Sequence, residues 1–184
     1  MRSSIPSREV CLALMEEYGM WRNIVRHSLV VERAASCIAE ALIRAGEYLN
    51  LAEVKAGALL HDITKTRSIK TRENHACTGQ MLLQGLGFPR IGEIVGSHVL
   101  MPPAIFAQNV VSAEEVVHYA DKRVLHDRIV SLVYRFDDLM VRYGTSTEAC
   151  RKLKTLETQS QRIEAKIFSR VDFEPEALSD IVNA

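Results

Sequence analysis

No stretch of this chain alternates apolar and polar residues, whereas apolar residues return every three or four positions almost from end to end. That period belongs to helices with one buried stripe and leaves nothing to build a sheet. An all-α protein is therefore expected. Pro6 and Ser7 open a helix over about residues 8–18, which Gly19 ends, and a long helix follows over about 21–45, stopped by Gly46. Asn50 with Glu53 three residues on is a capping-box signature and starts a helix through Ala56, Leu59 and Leu60. Asn74 caps a further helix closed by Gly85 and Gly87, and another runs from Pro89 to about Val99 before Pro102-Pro103. Ser112 with Glu115 is a second capping box, opening one long helix to about Arg142. Gly144, Thr145 and Ser146 then break the chain before a polar helix over about 147–169, and a last short helix begins near Pro175.

The 184 residues suffice for one ordinary core, and neither a repeat nor a linker divides them. The reading is a helical bundle over residues 1–143 with a helical extension, 144–184, packed on it. Lys plus Arg and Asp plus Glu both total 23, which argues against polymeric nucleic acid as a partner, since that partner selects for basic excess. No run reaches the ~18–20 apolar residues of a membrane span, and the opening nine residues lack the apolar stretch of a signal peptide. Cysteines 11, 37, 77 and 150 form no CxxC pair, so reduced and mostly buried thiols are expected. A cytoplasmic protein without membrane contact follows, and a homodimer stays open.

Polar residues standing where core residues belong carry the chemistry. His27 shares a stripe with Val31, Ala34, Ile38 and Leu42. His61-Asp62 ends the apolar run Ala58-Leu59-Leu60. His98 follows Ile94 and Val95 at helical spacing, and Asp121 lies between Val117 and Val124. One buried histidine is commonly an ordinary core residue. Several, with aspartates, on different helices of a small domain call for a common cause, and inward-facing ligands are how helical bundles hold metals. Imidazole and carboxylate donors suit Fe, Mn, Co, Ni or Zn, whereas a structural zinc site would use thiolates. A second pair, His126-Asp127, has Lys122 and Arg123 among its helical neighbours and reads as a half-exposed decoy. His118, among Glu114, Glu115, Asp121 and Lys122, reads as solvated. Trp21 and the methionines read as core or cap packing. Lys65, one turn after Asp62, and Arg67, Arg72, Lys122 and Arg123 are cations in segments that could meet a phosphate, although any one of them alone reads as plain surface.

Taken in order, the pattern is His27, then Leu-Leu-His61-Asp62-Ile-Thr-Lys65, then Asn-His75-Ala-Cys-Thr-Gly79, then His98, then Tyr-Ala-Asp121-Lys122-Arg123. Over about residues 22–135 this resembles the HD-domain superfamily of metal-dependent phosphohydrolases, and its small single-domain members that include nucleotide and dinucleoside-tetraphosphate hydrolases. The resemblance implies a single HD-domain bundle in which His27, His61, Asp62 and Asp121 hold one metal. His75 and His98 would hold a second, with Asp62 bridging. The ion or ions would be divalent or trivalent transition metals, iron foremost. Only Ser97-His98 stands where some relatives carry paired histidines, and the Gly-Tyr-Pro signature of the cyclic-dinucleotide subgroup is absent.

The implied activity is hydrolysis of a phosphate ester or anhydride, of a small phosphorylated metabolite, nucleotide or dinucleoside polyphosphate, by metal-bound hydroxide. Asp62 would orient or deprotonate the attacking water, and Lys65 would assist the departing oxygen. Two rivals share the superfamily: di-iron oxygenases similar to myo-inositol oxygenase, and HD modules that bind nucleotides without turnover. Six side chains from five helices are expected to converge on one cavity.

Overall fold

The computed structural model describes residues 5–106 and 108–183. The order is α1 (Arg8–Glu17), α2 (Arg22–Arg44), α3 (Leu51–Leu60), α4 (Lys65–Thr71), α5 (His75–Gly85), α6 (Pro89–Ser97), α7 (Pro103–Phe106) and α8 (Ala113–Lys122). A hairpin of β1 (Val124–Leu125) and β2 (Arg128–Ile129) follows, then α9 (Leu132–Tyr143), α10 (Thr147–Phe168), a 3₁₀ turn at Pro175–Ala177 and α11 (Leu178–Asn183). The protein is all-α apart from that antiparallel pair, in which Val124 faces Ile129 and Leu125 faces Arg128. Among the described residues no helix is long and apolar enough to cross a membrane. The first four residues of the segment read for a leader lie outside the described range.

Helix starts obey local chemistry. Asn50 Oδ1 accepts the backbone N–H groups of Ala52 and Glu53, and Asn74 Oδ1 those of Ala76 and Cys77. Ser112 and Glu115 exchange both bonds of a capping box. Each such cap satisfies donors that the first turn leaves open, contributing ~1 kcal/mol. Trp21 holds the N-cap position of α2 without a side-chain bond, its ring part exposed.

The helix foreseen over residues 112–142 is two helices. Arg123 closes α8, His126 turns the hairpin at φ +58°, and Ser131 recaps the chain by accepting Tyr134 N–H. A second unforeseen element is α4, directly after His61-Asp62.

The core is centred on α2 and α3, with Val31, Ile38, Leu42, Leu59 and Leu60 essentially inaccessible. Burying each such side chain contributes about 1.5–3 kcal/mol. Helix α6 lies unusually close to α3 at Gly57, where a Cβ would meet Ile94 Cγ2 at 2.6 Å. At Gly79 of α5 a Cβ would meet Val95 at 2.9 Å. These two approaches draw the C-terminal ends of α3 and α6 and the start of α5 to one point.

The extension packs on α8 along its length. Tyr119 donates to Glu164 at 2.6 Å, Lys166 grips Glu115 at 2.8 Å, and the Tyr119 and Phe168 rings meet edge to face. His118 is therefore not solvated: it is fully buried, and Nε2 lies 3.1 Å from Ser160 Oγ. The acidic and basic neighbours that suggested solvent are themselves covered by α6 and α10. Among the cysteines Cys11 is buried, Cys37 and Cys150 are half-buried, and Cys77 is exposed; all are free.

Candidate metal centre

The apolar end of α3 delivers His61 at its C-cap, and the chain turns at once so that Asp62 follows into the interior; both are at most 1% exposed. His98 occupies the C-cap of α6, His75 the first position of α5, His27 the second turn of α2 and Asp121 the last turn of α8. His61 Nδ1 lies 2.7 Å from Ala58 O, His98 Nδ1 2.6 Å from Val95 O, and His27 Nδ1 2.9 Å from His126 O. A carbonyl only accepts, so each Nδ1 carries the hydrogen and each Nε2 is the atom that faces inward, toward the carboxylates. This outer bond is what sets the tautomer of a metal-ligating imidazole.

The inward atoms form two adjoining triads, His27–His61–Asp121 and Asp62–His75–His98, with the donor atoms in each within 4.8 Å of one another. In the first, Asp121 Oδ1 lies 2.9 Å from His27 Nε2 and 3.5 Å from His61 Nε2. In the second, Asp62 Oδ1 lies 3.3 Å from His75 Nε2 and 3.6 Å from His98 Nε2, and the two Nε2 atoms stand 3.1 Å apart. Asp62 Oδ2 reaches back to His61 Nε2 at 3.5 Å, so its carboxylate touches both triads. Donors bonded to one transition ion at 2.0–2.2 Å sit roughly 3.0–3.5 Å apart, the spacing found here.

His61 Nε2 and Asp62 Oδ1 are buried without any hydrogen bond. Orphaned atoms of this kind cost about 1–3 kcal/mol each unless something else satisfies them. Burial lowers the His61 pKa, yet the charges of Asp62 and Asp121 lift it to about 10. Burial alone would raise the Asp62 carboxyl, but Lys65 and His61 hold it well below the usual carboxylate range. Burial depresses His98 to about 4, leaving it a neutral donor. The carboxylates thus demand a cation beside Nε2 of His61, and the donor set fits a metal ion.

Residues 24–172 match the HD domain family. The chain belongs to that family. No curated protein and no solved structure matches it. The HD match runs past residue 143 and takes in α10. Most HD domains are metal-dependent hydrolases, and this HD domain brings together His/Asp groups suited to such an ion.

The six histidines and aspartates singled out from the sequence come together: His27, Asp62, His75, His98 and Asp121 line a cleft of about 830 Å³, and His61 lies buried behind them. The cations separate. Lys65 stands at the cleft with its ammonium 2.9 Å from Asp62 Oδ2 and its side chain 38% exposed. Lys122 is buried on the cleft wall, donating to Asp121 Oδ2 and to His98 O at 3.2 Å. Arg67, Arg72 and Arg123 do not line the cleft. Arg67 is exposed and forks onto Glu73, and Arg72 is exposed at the left-handed end of α4. Arg123 is buried the other way, bonded to Tyr119 Oη and to Pro175 O, tying α8 to the extension.

The HD cleft also has a wall that no sequence motif announced. Helices α9 and α10 contribute Arg135, Leu139, Arg142, Tyr143, Leu153 and Leu156. The turn of the hairpin adds His126 and Asp127, whose side chains are exposed while the His126 carbonyl braces His27. Arg135 and Arg142 sit on an amphipathic helix whose period reads as surface, and the only available signal was their spacing of seven on one face.

Proposed function

We propose that this HD domain is a phosphohydrolase that cleaves a phosphate ester or anhydride of a small phosphorylated metabolite, with nucleotides and dinucleoside polyphosphates the favoured class. One observation carries the reading: two triads of inward Nε2 and carboxylate donors, joined by Asp62, with all of their residues but His61 lining an open cleft beside Lys65. His27, His61 and Asp121 would hold one ion and Asp62, His75 and His98 the other, with Asp62 shared. Bound transition ions supply an acidified water and a Lewis-acid grip on a phosphoryl oxygen.

The chain's own residues supply the rest. Asp62 accepts a hydrogen bond from Lys65, which fixes its orientation and keeps it ionised. It can then orient, or take a proton from, the attacking water on its cleft side. Lys65 keeps two further ammonium hydrogens for the departing oxygen, whose charge grows as the bond breaks. Lys122 holds Asp121 from below, so the first triad keeps its shape. Four free thiols and the absence of a membrane-crossing helix among the described residues support a cytoplasmic site of action.

The test couples elemental analysis of the purified protein with phosphate release across nucleotides and dinucleoside polyphosphates, alongside an oxygen electrode. One to two transition ions per chain with phosphate release supports the reading. Oxygen consumption without phosphate release would overturn it in favour of a di-iron oxygenase.

A further inference from the structure

Arg135 is an arginine without adequate partners. Its side chain on α9 is 12% exposed, and its Nε is buried with no hydrogen bond. Among the described residues its one side-chain bond runs from Nη1 to Asp138 Oδ2 at 3.4 Å. That same carboxylate oxygen also receives Arg142 Nη2, so a single negative charge serves two guanidinium groups. An arginine kept for packing or stability would have its five donors satisfied, because a buried unpaired donor is destabilising.

The other cleft cations are matched one to one. Lys65 pairs with Asp62, Lys122 with Asp121, and Arg26 with Asp127 at 3.8 Å. Arg135 and Arg142 therefore bring one positive charge in excess to the cleft wall. Arg135, Arg142 and Lys65 line the same cleft. The surplus thus shares that cleft with the residue set against the reacting phosphate. A planar guanidinium with free donors matches the oxygens of a phosphoryl group in a two-point fork.

We infer that Arg135, seconded by Arg142, forms a second anion subsite that selects substrates carrying a phosphoryl group beyond the one that reacts, that is, phosphoanhydrides over simple monoesters. For the reaction itself this rests on the phosphohydrolase reading; the binding preference does not. Arg135 takes the distal phosphoryl group while Lys65 faces the bridging oxygen. Asp138 holds both arginines toward the cleft until the ligand arrives.

The test uses the metal-loaded full chain in excess magnesium, with inorganic tripolyphosphate and inorganic phosphate as calorimetric probes. Wild-type protein should bind tripolyphosphate more tightly than phosphate, and Arg135→Gln should shrink that ratio by about 10- to 100-fold, the worth of charge-assisted bonds. Arg142→Gln should shrink it by about threefold, as expected of a more exposed partner. Arg151→Gln, an exposed control that does not line the cleft, should leave it unchanged. In turnover of a dinucleoside tetraphosphate, Arg135→Gln should raise KM more than it lowers kcat. An unchanged binding ratio in a folded Arg135→Gln protein overturns the subsite. If that variant does not fold, Arg142→Gln decides, its side chain being 39% exposed; an unchanged ratio there overturns it too. Arginine-dependent tripolyphosphate binding without any hydrolysis would sink the phosphohydrolase reading and leave the subsite standing. Hydrolysis with a ratio indifferent to both arginines would do the reverse.

Discussion

The chain contains the dipeptide His-Asp twice, and the structure puts the two copies to opposite uses. His61-Asp62 closes a helix against the core, both side chains at most 1% exposed, where an unpartnered polar atom is costly. His126-Asp127 turns a two-strand hairpin at the surface, with both side chains exposed. At the first copy the side chains form part of the two triads, and the backbone merely ends α3 and turns. At the second the backbone does the work: the His126 carbonyl fixes the ring of His27, and its imidazole takes no part. The lesson is that two letters carry no chemistry until burial decides whether their charges are exposed to solvent or forced on one another.

The widest separation between the copies is expected from paired alanine substitutions. Asp62→Ala should remove most bound metal and lower turnover by more than about a thousandfold, since both triads lose a shared donor. Elemental analysis and phosphate release read both effects. Comparable losses from Asp127→Ala would erase the contrast.

A smaller step is expected at the second triad. His75→Ala or His98→Ala should bring the metal content toward one ion per chain and slow hydrolysis by about a hundredfold, while the fold survives on its first triad. Unchanged stoichiometry in both variants, with weakened substrate binding, would mean that these rings touch phosphate directly.

His118 sharpens the comparison from a third side, being as buried as His61 but bonded to Ser160 instead of carboxylates. Burial, helped by the Lys122 charge, depresses it to about 3, against 6.5 for the free side chain. Below pH 6.5 the unfolded chain therefore binds a proton that the folded chain refuses. Stability should fall as pH drops from there toward 3, by up to about 1.4 kcal/mol per pH unit. Urea unfolding at neutral and mildly acidic pH should show a shallower fall for His118→Gln, and parallel falls would clear His118 as the acid-sensitive group.

The smallest effect belongs to Asp127→Ala. Its partner Arg26 lies 3.8 Å away and both side chains are about half exposed, so the pair contributes about 0–1 kcal/mol. Turnover should move by less than about threefold.

The helices bounded by Ser7, Asn50, Asn74, Ser112 and Ser146 were legible because each start is written in the residue that caps it. The break after Lys122 was not. Val124, Ile129, Val130, Val133 and Phe136 continue a plausible helical spacing, and no Gly or Pro interrupts residues 113–143. Helix α8 closes at Arg123, and what turns the chain back into the hairpin is His126, a left-handed residue that is not glycine, visible only in the fold. Five of the six inward residues, His27, His61, Asp62, His98 and Asp121, were legible as polar residues on or at the end of apolar stripes, whereas His75, which opens α5 directly after its cap, came only from the family resemblance. Arg135 was not, since an arginine on a helix is ordinary until a second helix covers it. Arg123 and His118 failed in the other direction: Arg123 read as a phosphate-facing or plain surface cation and the charged neighbours of His118 suggested solvent, but the extension turned that face into an interior.

Two of the imidazoles, His61 and His98, hang from the last turns of their own helices, each tethered to a carbonyl three residues back. Helix ends fray where they are exposed, but these two are packed into the core, with Leu60, His61, Val95 and His98 at most 1% accessible. Each ring can therefore swing only if the last turn of its helix swings with it. The aim of both imidazoles is as durable as the seam between α3 and α6, so a change that pries that seam apart at Gly57 would unsettle the centre without touching one of its donors.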